Sequence, residues 1–198
     1  MAKVKADLTE LNKLMRSLKK DVRVRVGIIG SKAKAQHDPQ SGLTNAQLGA
    51  VHEFGANINH PGGTPYYITD KGAMFVSKNA SRYAIKDLRV TSAHKITIPA
   101  RSFLREPLEE KLTDKFVTMK KEAWKAFFQK NKPEVFFNYL GSIALHIVKE
   151  AFNTNGYGQW KELTAATKRA KANKNLSPAT LIAKGTLKNS TSMKVLSK

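Results

Sequence analysis

The sequence predicts an α+β fold: a small antiparallel sheet packed against a long helical hairpin, with a projecting β-hairpin arm. Three observations carry that prediction. From Leu104 through Leu108, Leu112, Phe116, Met119, Ala123 and Phe127, apolar residues recur at steps of three and four, which stacks them on one helix face. Val22-Arg23-Val24-Arg25-Val26-Gly27-Ile28 alternates with period two, as a strand does when one face meets a core and the other meets water. Two β-prone runs, Tyr66 to Thr69 and Ala73 to Val76, flank Asp70-Lys71-Gly72, a hairpin signature.

Taken in order, Leu8, Leu11, Leu14, Met15 and Leu18 lie at helical spacing, so residues 7 to 20 read as a first helix with one apolar stripe and a basic opposite face. The alternating strand follows, with Arg23 and Arg25 pointing away from the helices. Ser31 to Gly42 is polar and aperiodic and reads as a long exposed loop. Thr44 and Gln47 have the capping-box spacing, and Ala46, Ala50, Val51 and Phe54 continue at helical steps until Gly55, giving a short helix over residues 45 to 54. Residues 57 to 97 then read as an inserted arm that contains the hairpin, a polar crossing from Ser77 to Ser92 and a strand over residues 94 to 98. Pro107 has no amide proton to contribute, so it fits a first turn and places the start of the long helix near Arg105. Glu106, Glu109 and Glu110 then sit at its positive end, and Lys120, Lys121 and Lys125 at its negative end.

Asn131 and Pro133 separate that helix from a second one striped by Phe136, Leu140, Ile143, Ile147 and Ala151, so the pair folds back as an antiparallel hairpin. Asn153-Thr154-Asn155-Gly156-Tyr157-Gly158 breaks the second helix. Residues 161 to 198 carry nine Lys or Arg against one acid, Glu162. Trp160, Leu163, Leu181, Ile182 and Leu187 are the apolar residues with which this basic C-terminal segment, residues 160 to 198, packs on the body, and it ends in an edge strand near Met193 to Leu196.

The chain of 198 residues suits one ordinary domain, residues 1 to 198, with 57 to 97 inserted. Its 41% hydrophobic and 25% charged residues belong to a globular protein. The charge is unusual: 35 Lys and Arg against 15 Asp and Glu give +20, which calls for an acidic partner, nucleic acid or a negatively charged protein surface. The absence of cysteine excludes disulfides, thiolate zinc sites and a cysteine nucleophile. The N-terminus is amphipathic, unlike a signal peptide, and no apolar run approaches the roughly 20 residues needed to span a bilayer, so a soluble protein without membrane partners is expected.

Motifs for chemistry are missing. His52-Glu53 begins like a zincin helix, but position 56 is alanine where a second histidine would be needed, and the plain alternative is a helix-end pair with Glu53 in a local hydrogen bond. His60 and His94 have no neighbouring acids in sequence and read as surface or strand residues. Gly27-Ile28-Ile29-Gly30 lacks the third glycine of a dinucleotide fingerprint, and there is no phosphate loop and no nucleophile elbow. No enzyme activity, cofactor or metal is expected. No zinc finger, RNP-like strand or helix-turn-helix spacing is present either, although non-specific phosphate contact needs only charge.

Val51-His52-Glu53-Phe54-Gly55, then Ile98-Pro99-Ala100-Arg101-Ser102-Phe103-Leu104-Arg105, then Trp160 to Leu163, and finally Leu181-Ile182-Ala183-Lys184-Gly185-Thr186-Leu187-Lys188-Asn189-Ser190 form an ordered set. In that order they resemble the neck and tail-completion proteins of tailed bacteriophages, the virion-morphogenesis group. In that group a helix ends in His-Glu-Phe-Gly, an Ile-Pro-Ala-Arg-x-Phe-Leu turn starts the long helix, and a Leu-Ile-x-x-Gly-x-Leu-x-x-Ser motif lies near the C-terminus. The match runs over roughly residues 45 to 190 and is interrupted by the insert, which suits an arm reaching a neighbouring subunit.

The resemblance implies a non-enzymatic virion protein of the head-tail connector, made in the host cytoplasm and placed at the head-tail junction. It implies a homo-oligomeric ring, sixfold or twelvefold, joined to portal or adaptor on one side and to tail-tube or tail-terminator proteins on the other. Candidate interface residues are Arg101, Phe103, Tyr66, Tyr67 and Phe75, since arginine and aromatics dominate hot spots. Local packing is the alternative, with Phe103 in the core and Arg101 capping a loop carbonyl. Arg23, Arg25, Lys32 and Lys34, or the basic tail, are candidates for a DNA-lined lumen with transient non-specific contact, or for a face that meets acidic partners. The competing reading is a basic nucleic-acid-binding protein without sequence specificity.

Overall fold

The computed structural model describes residues 12, 16, 22–37, 42–70, 72–76, 86–117 and 133–197. The first helix expected over residues 7 to 20 falls outside them except for Asn12 and Arg16, both helical, and so does the far half of the long helix with its turn. The architecture is mixed α+β with small antiparallel sheets. Two compact units divide the chain: Met1–Phe54 with Ala100–Lys198, here the body, and Gly55–Pro99, the inserted unit.

In the body, β1 (Val22–Ile28) pairs antiparallel along its whole length with β7 (Thr191–Ser197), from Val22 opposite Ser197 to Ile28 opposite Thr191. The segment read as a long loop after β1 instead opens with a one-turn helix, α1 (Ser31–Lys34), and Gln36 forms an isolated bridge with Thr44. Polarity without periodicity hid it, because one turn is too short to show a stripe. Helix α2 (Asn45–Phe54) has the expected bounds. Its capping box is formed: Gln47 N–H donates to Thr44 Oγ1 at 3.2 Å and Thr44 N–H to Gln47 Oε1 at 2.9 Å.

Helix α3 (Arg105–Val117) starts where Pro107 places it, and α4 (Pro133–Asn153) is the second long helix. The buried stripe of α4 is Gly141, Ala144, Ile147, Val148, Ala151 and Phe152, so it includes Ile147 and Ala151 and continues beside them. Gly141 lets the helix approach the sheet, because a Cβ there would lie 3.0 Å from Met193 Sδ and 3.1 Å from Val24 Cγ1. The core joins Phe103, Val148, Ala151, Phe152, Trp160 and Leu187, with Leu104 and Leu108 from the start of α3 packed on it beside the end of α4. Phe103 and Phe152 stack tilted at 5.0 Å, and Trp160 meets Phe152 edge-on at 5.9 Å.

After α4 the chain turns through Asn155, Gly156 and Tyr157, all with positive φ. The basic segment is more ordered than its composition implied: it forms α5 (Ala165–Ala172), capped by Thr164, and α6 (Thr186–Ser190) before β7. It packs through Trp160, Leu187, Leu181 and Ile182.

The inserted unit holds two small sheets. β2 (Ala56–His60) pairs with β6 (His94–Ile98), ending in His60 opposite His94 with their rings stacked at 5.0 Å. β3 (Pro65–Thr69) pairs with β4 (Gly72–Phe75) as the expected hairpin, and also with β5 (Arg89–Val90). The polar crossing was expected from Ser77 to Ser92, so β5 corrects its described end. Residues 77–85 lie outside the described set.

Candidate assembly site

The site is built around a carboxylate in an unfavourable place. Glu53 sits in the last turn of α2, where the helix dipole disfavours an acid, and it is 5% exposed. Its partners are at the start of the other helix. Glu53 Oε2 accepts from the backbone N–H of Phe103 at 2.9 Å and of Leu104 at 3.0 Å, while Oε1 accepts from Arg105 N–H at 2.9 Å and from Ser102 Oγ at 2.6 Å. Ser102 Oγ in turn accepts from Glu106 N–H at 3.0 Å. The orphan donors that every helix start leaves are thus met by an acid on the other side of the insert, about fifty residues earlier in the chain, and the same charge that opposes the α2 dipole favours that of α3. The expected local hydrogen bond for Glu53 is therefore corrected to a long-range one.

Two further bonds tie the knot. Arg101 N–H donates to His52 O at 2.7 Å, and Trp160 Nε1 donates to Ser102 O at 3.0 Å. His52 and Glu53, the run from Arg101 to Glu106, and Trp160 are thus one structure. Phe103 is fully buried within it, which removes Phe103 from the interface candidates and makes it core.

Beside the knot lies a cavity of about 470 Å³. His37, His52, Arg101, Lys171 and Lys184 line it, no described Asp or Glu does, and the remaining wall is mainly leucine and isoleucine from residues 48, 163 and 176–187 together with Thr167, Thr180 and Thr186. Asn45 Nδ2 donates to Lys32 O at 3.0 Å, which fixes the amide, so Asn45 Oδ1 accepts from His37 Nδ1 at 2.9 Å. Burial pushes the His52 pKa below its ordinary value, and the charges of Arg101 and His37 push the same way. His52 Nδ1 and Arg101 Nε are buried with no hydrogen-bond partner among the described residues. Lys171 reaches the backbone carbonyls of Ala179 at 2.5 Å and Ile182 at 2.7 Å, and desolvation lowers its pKa.

Comparison with known proteins finds no matching family model, curated sequence or solved structure.

A second body surface is basic. Arg25 is opposite Lys194 in the ladder, and together with Lys32 they border a groove of about 440 Å³. Lys32 Nζ donates to Asn189 O at 3.0 Å. Arg23, two residues before Arg25, shares its exposed side of β1, and Lys34 is exposed but does not border the groove. A third surface is apolar: Ile28, Ala46, Ala50, Leu104 and Leu108 border a groove of about 360 Å³ beside Phe54, which is 72% exposed. On the inserted unit, Tyr66 and Tyr67 are half-buried and Tyr66 meets its cross-strand neighbour Phe75 at 6.2 Å. Phe75, Ile68, Met74 and Val90 are each at least half exposed. Phe54 was missed as a surface residue because its helical step fits a core stripe equally well.

No helix among the described residues is long and apolar enough to cross a membrane.

Proposed function

We propose that this chain is a structural subunit of the bacteriophage head-tail connector, a neck or tail-completion protein that assembles as a ring around the DNA channel. The observation that carries the reading is a pair of unlike apolar surfaces in one chain: the groove beside Phe54 on the body, and the exposed Ile68, Met74, Phe75 and Val90 on the inserted unit. Surfaces that differ are suited to head-to-tail contact, and repeated head-to-tail contact closes into rings when the rotation allows. The resemblance of the ordered motifs supports the same reading, and the knot gives those motifs a shared structural purpose. Portal or adaptor proteins and tail-tube or tail-terminator proteins are then the partners on either side.

In this reading the groove bordered by Arg25, Lys32 and Lys194 faces DNA in the lumen. The same groove favours the second reading, a basic protein that binds nucleic acid through phosphates alone. Cryo-electron microscopy of purified particles from the source separates the two. A ring of copies at the head-tail junction is expected, and Phe54→Ser with Phe75→Ser should prevent its assembly. Particles without this chain would sink the connector reading and leave the nucleic-acid binder.

A further inference from the structure

We propose that the cavity bordered by His37, His52 and Arg101 receives a carboxylate carried beside an apolar side chain on a peptide segment of a partner protein. The chemistry of the wall selects the ligand. Among the described residues five lining groups are cationic or can become so and none is acidic, and six of the others are leucine or isoleucine, with three threonines, Ala183 and Gly185 between them. A charge entering such a site loses water, so its attraction to the guanidinium is strengthened and an uncharged analogue is left without a matching partner. A nucleic-acid backbone offers phosphates but nothing that profits from leucine walls. A glutamate, or a chain end, next to a leucine-sized side chain profits from both, and the volume falls in the range of specific ligand sites.

The receiving groups are held in advance. Arg101 follows from a backbone pinned to His52 O, and its neighbour Ser102 is locked by Glu53, so the guanidinium is anchored at its root. A guanidinium offers a planar fork that matches a carboxylate, and Arg101 Nε is a buried donor without an acceptor among the described residues. Lys171 has a different part: its ammonium binds the Ala179 and Ile182 carbonyls and so holds the wall of residues 179–182 in place. The cavity is complete within one chain's body and needs no ring to form.

The test is a titration of the full chain, followed by the imidazole resonances of His37 and His52. N-acetyl-Leu-Glu-amide presents a side-chain carboxylate and N-acetyl-leucine a terminal one; N-acetyl-Leu-Gln-amide and inorganic phosphate are the comparators. At least one carboxylate probe should shift both imidazoles and saturate, and which one binds tells the two sources apart. Arg101→Gln should weaken that probe at least about tenfold, the scale of a desolvated charge pair losing a partner. If that variant also lowers the unfolding midpoint, Lys184→Gln, on the exposed rim, replaces it, with a weakening of about threefold expected for a screened charge. Equal binding of the glutamine probe, tighter binding of phosphate, no saturation by about 50 mM, which is weaker than specific peptide recognition, or unchanged affinity in both variants would overturn the proposal.

Discussion

Replacing Glu53 by alanine removes the acceptor for three backbone N–H groups and one hydroxyl. The bond to Phe103 N–H is buried, so that donor loses its partner with no water to replace it, at about 1–3 kcal/mol. The bonds to Leu104 and Arg105 are partly buried, and their donors recover water in part, at about 0.5–1 kcal/mol each. Adding about 1 kcal/mol for the space left by a buried side chain brings the loss to about 3–6 kcal/mol, a large share of the roughly 5–15 kcal/mol that holds a domain folded. Urea unfolding followed by circular dichroism measures it; with a slope of about 2.5 kcal/mol per molar, the midpoint should fall by about 1–2 M. Ser102→Ala should cost about 1–2 kcal/mol alone, and at least about 0.5 kcal/mol less in the Glu53→Ala background, since the two side chains share a bond. A loss below about 1 kcal/mol for Glu53→Ala, or strict additivity of the pair, would refute the view that this carboxylate joins the two helices.

Gly156→Ala should destabilise by about 2–6 kcal/mol in the same assay, because φ is +64° and the new Cβ meets the Trp160 ring, itself pinned to Ser102 O. Tyr157 is pushed up to about 12 by burial first and then by the charge and hydrogen bond of Glu150. The unfolded state therefore releases that proton first, so the stability tied to Tyr157 is complete below pH of about 10 and is lost as pH rises toward 12. A difference titration at 295 nm between the parent and Tyr157→Phe should show the step near 12; a step near 10 would contradict the packing. Replacing Arg25, Lys32 and Lys194 by glutamine should reduce the magnitude of the log-affinity against log-salt slope for DNA by about 2–3, and an unchanged slope would place phosphate contact elsewhere.

Much of the fold was legible wherever one physical rule acted locally. The Val22–Ile28 alternation, the Thr44 and Gln47 box with Gly55 as stop, and Pro107 in a first turn each gave the right element from neighbouring residues alone. β2 was not legible, because Ala-Asn-Ile-Asn-His has little β preference and is a strand only through pairing with β6. α5 was not legible either: Ala165–Ala172 is alanine and cation with no apolar stripe, so only the Thr164 cap marked it. At the site, Arg101 was read as a candidate and does line a cavity, while Phe103 was split between core and interface and proved to be core. The tie from Glu53 to Ser102 and Phe103 spans about fifty residues, and no periodicity encodes it. The one signal was negative: an acid at the wrong end of a helix dipole, which means that its partner lies elsewhere.

The hydrogen bond from Arg101 to His52 has a consequence for how the gene can change. Because the body's chain leaves at Phe54 and resumes at Ala100, with His52 and Arg101 already bonded just inside, the two cut ends are neighbours in space. Whatever is spliced between them leaves the Glu53 clasp, the core and the β1–β7 ladder with all their own partners. The locus is a graft point: a few-residue linker can close it, and inserts of quite different length can be exchanged there while the body goes on folding as before.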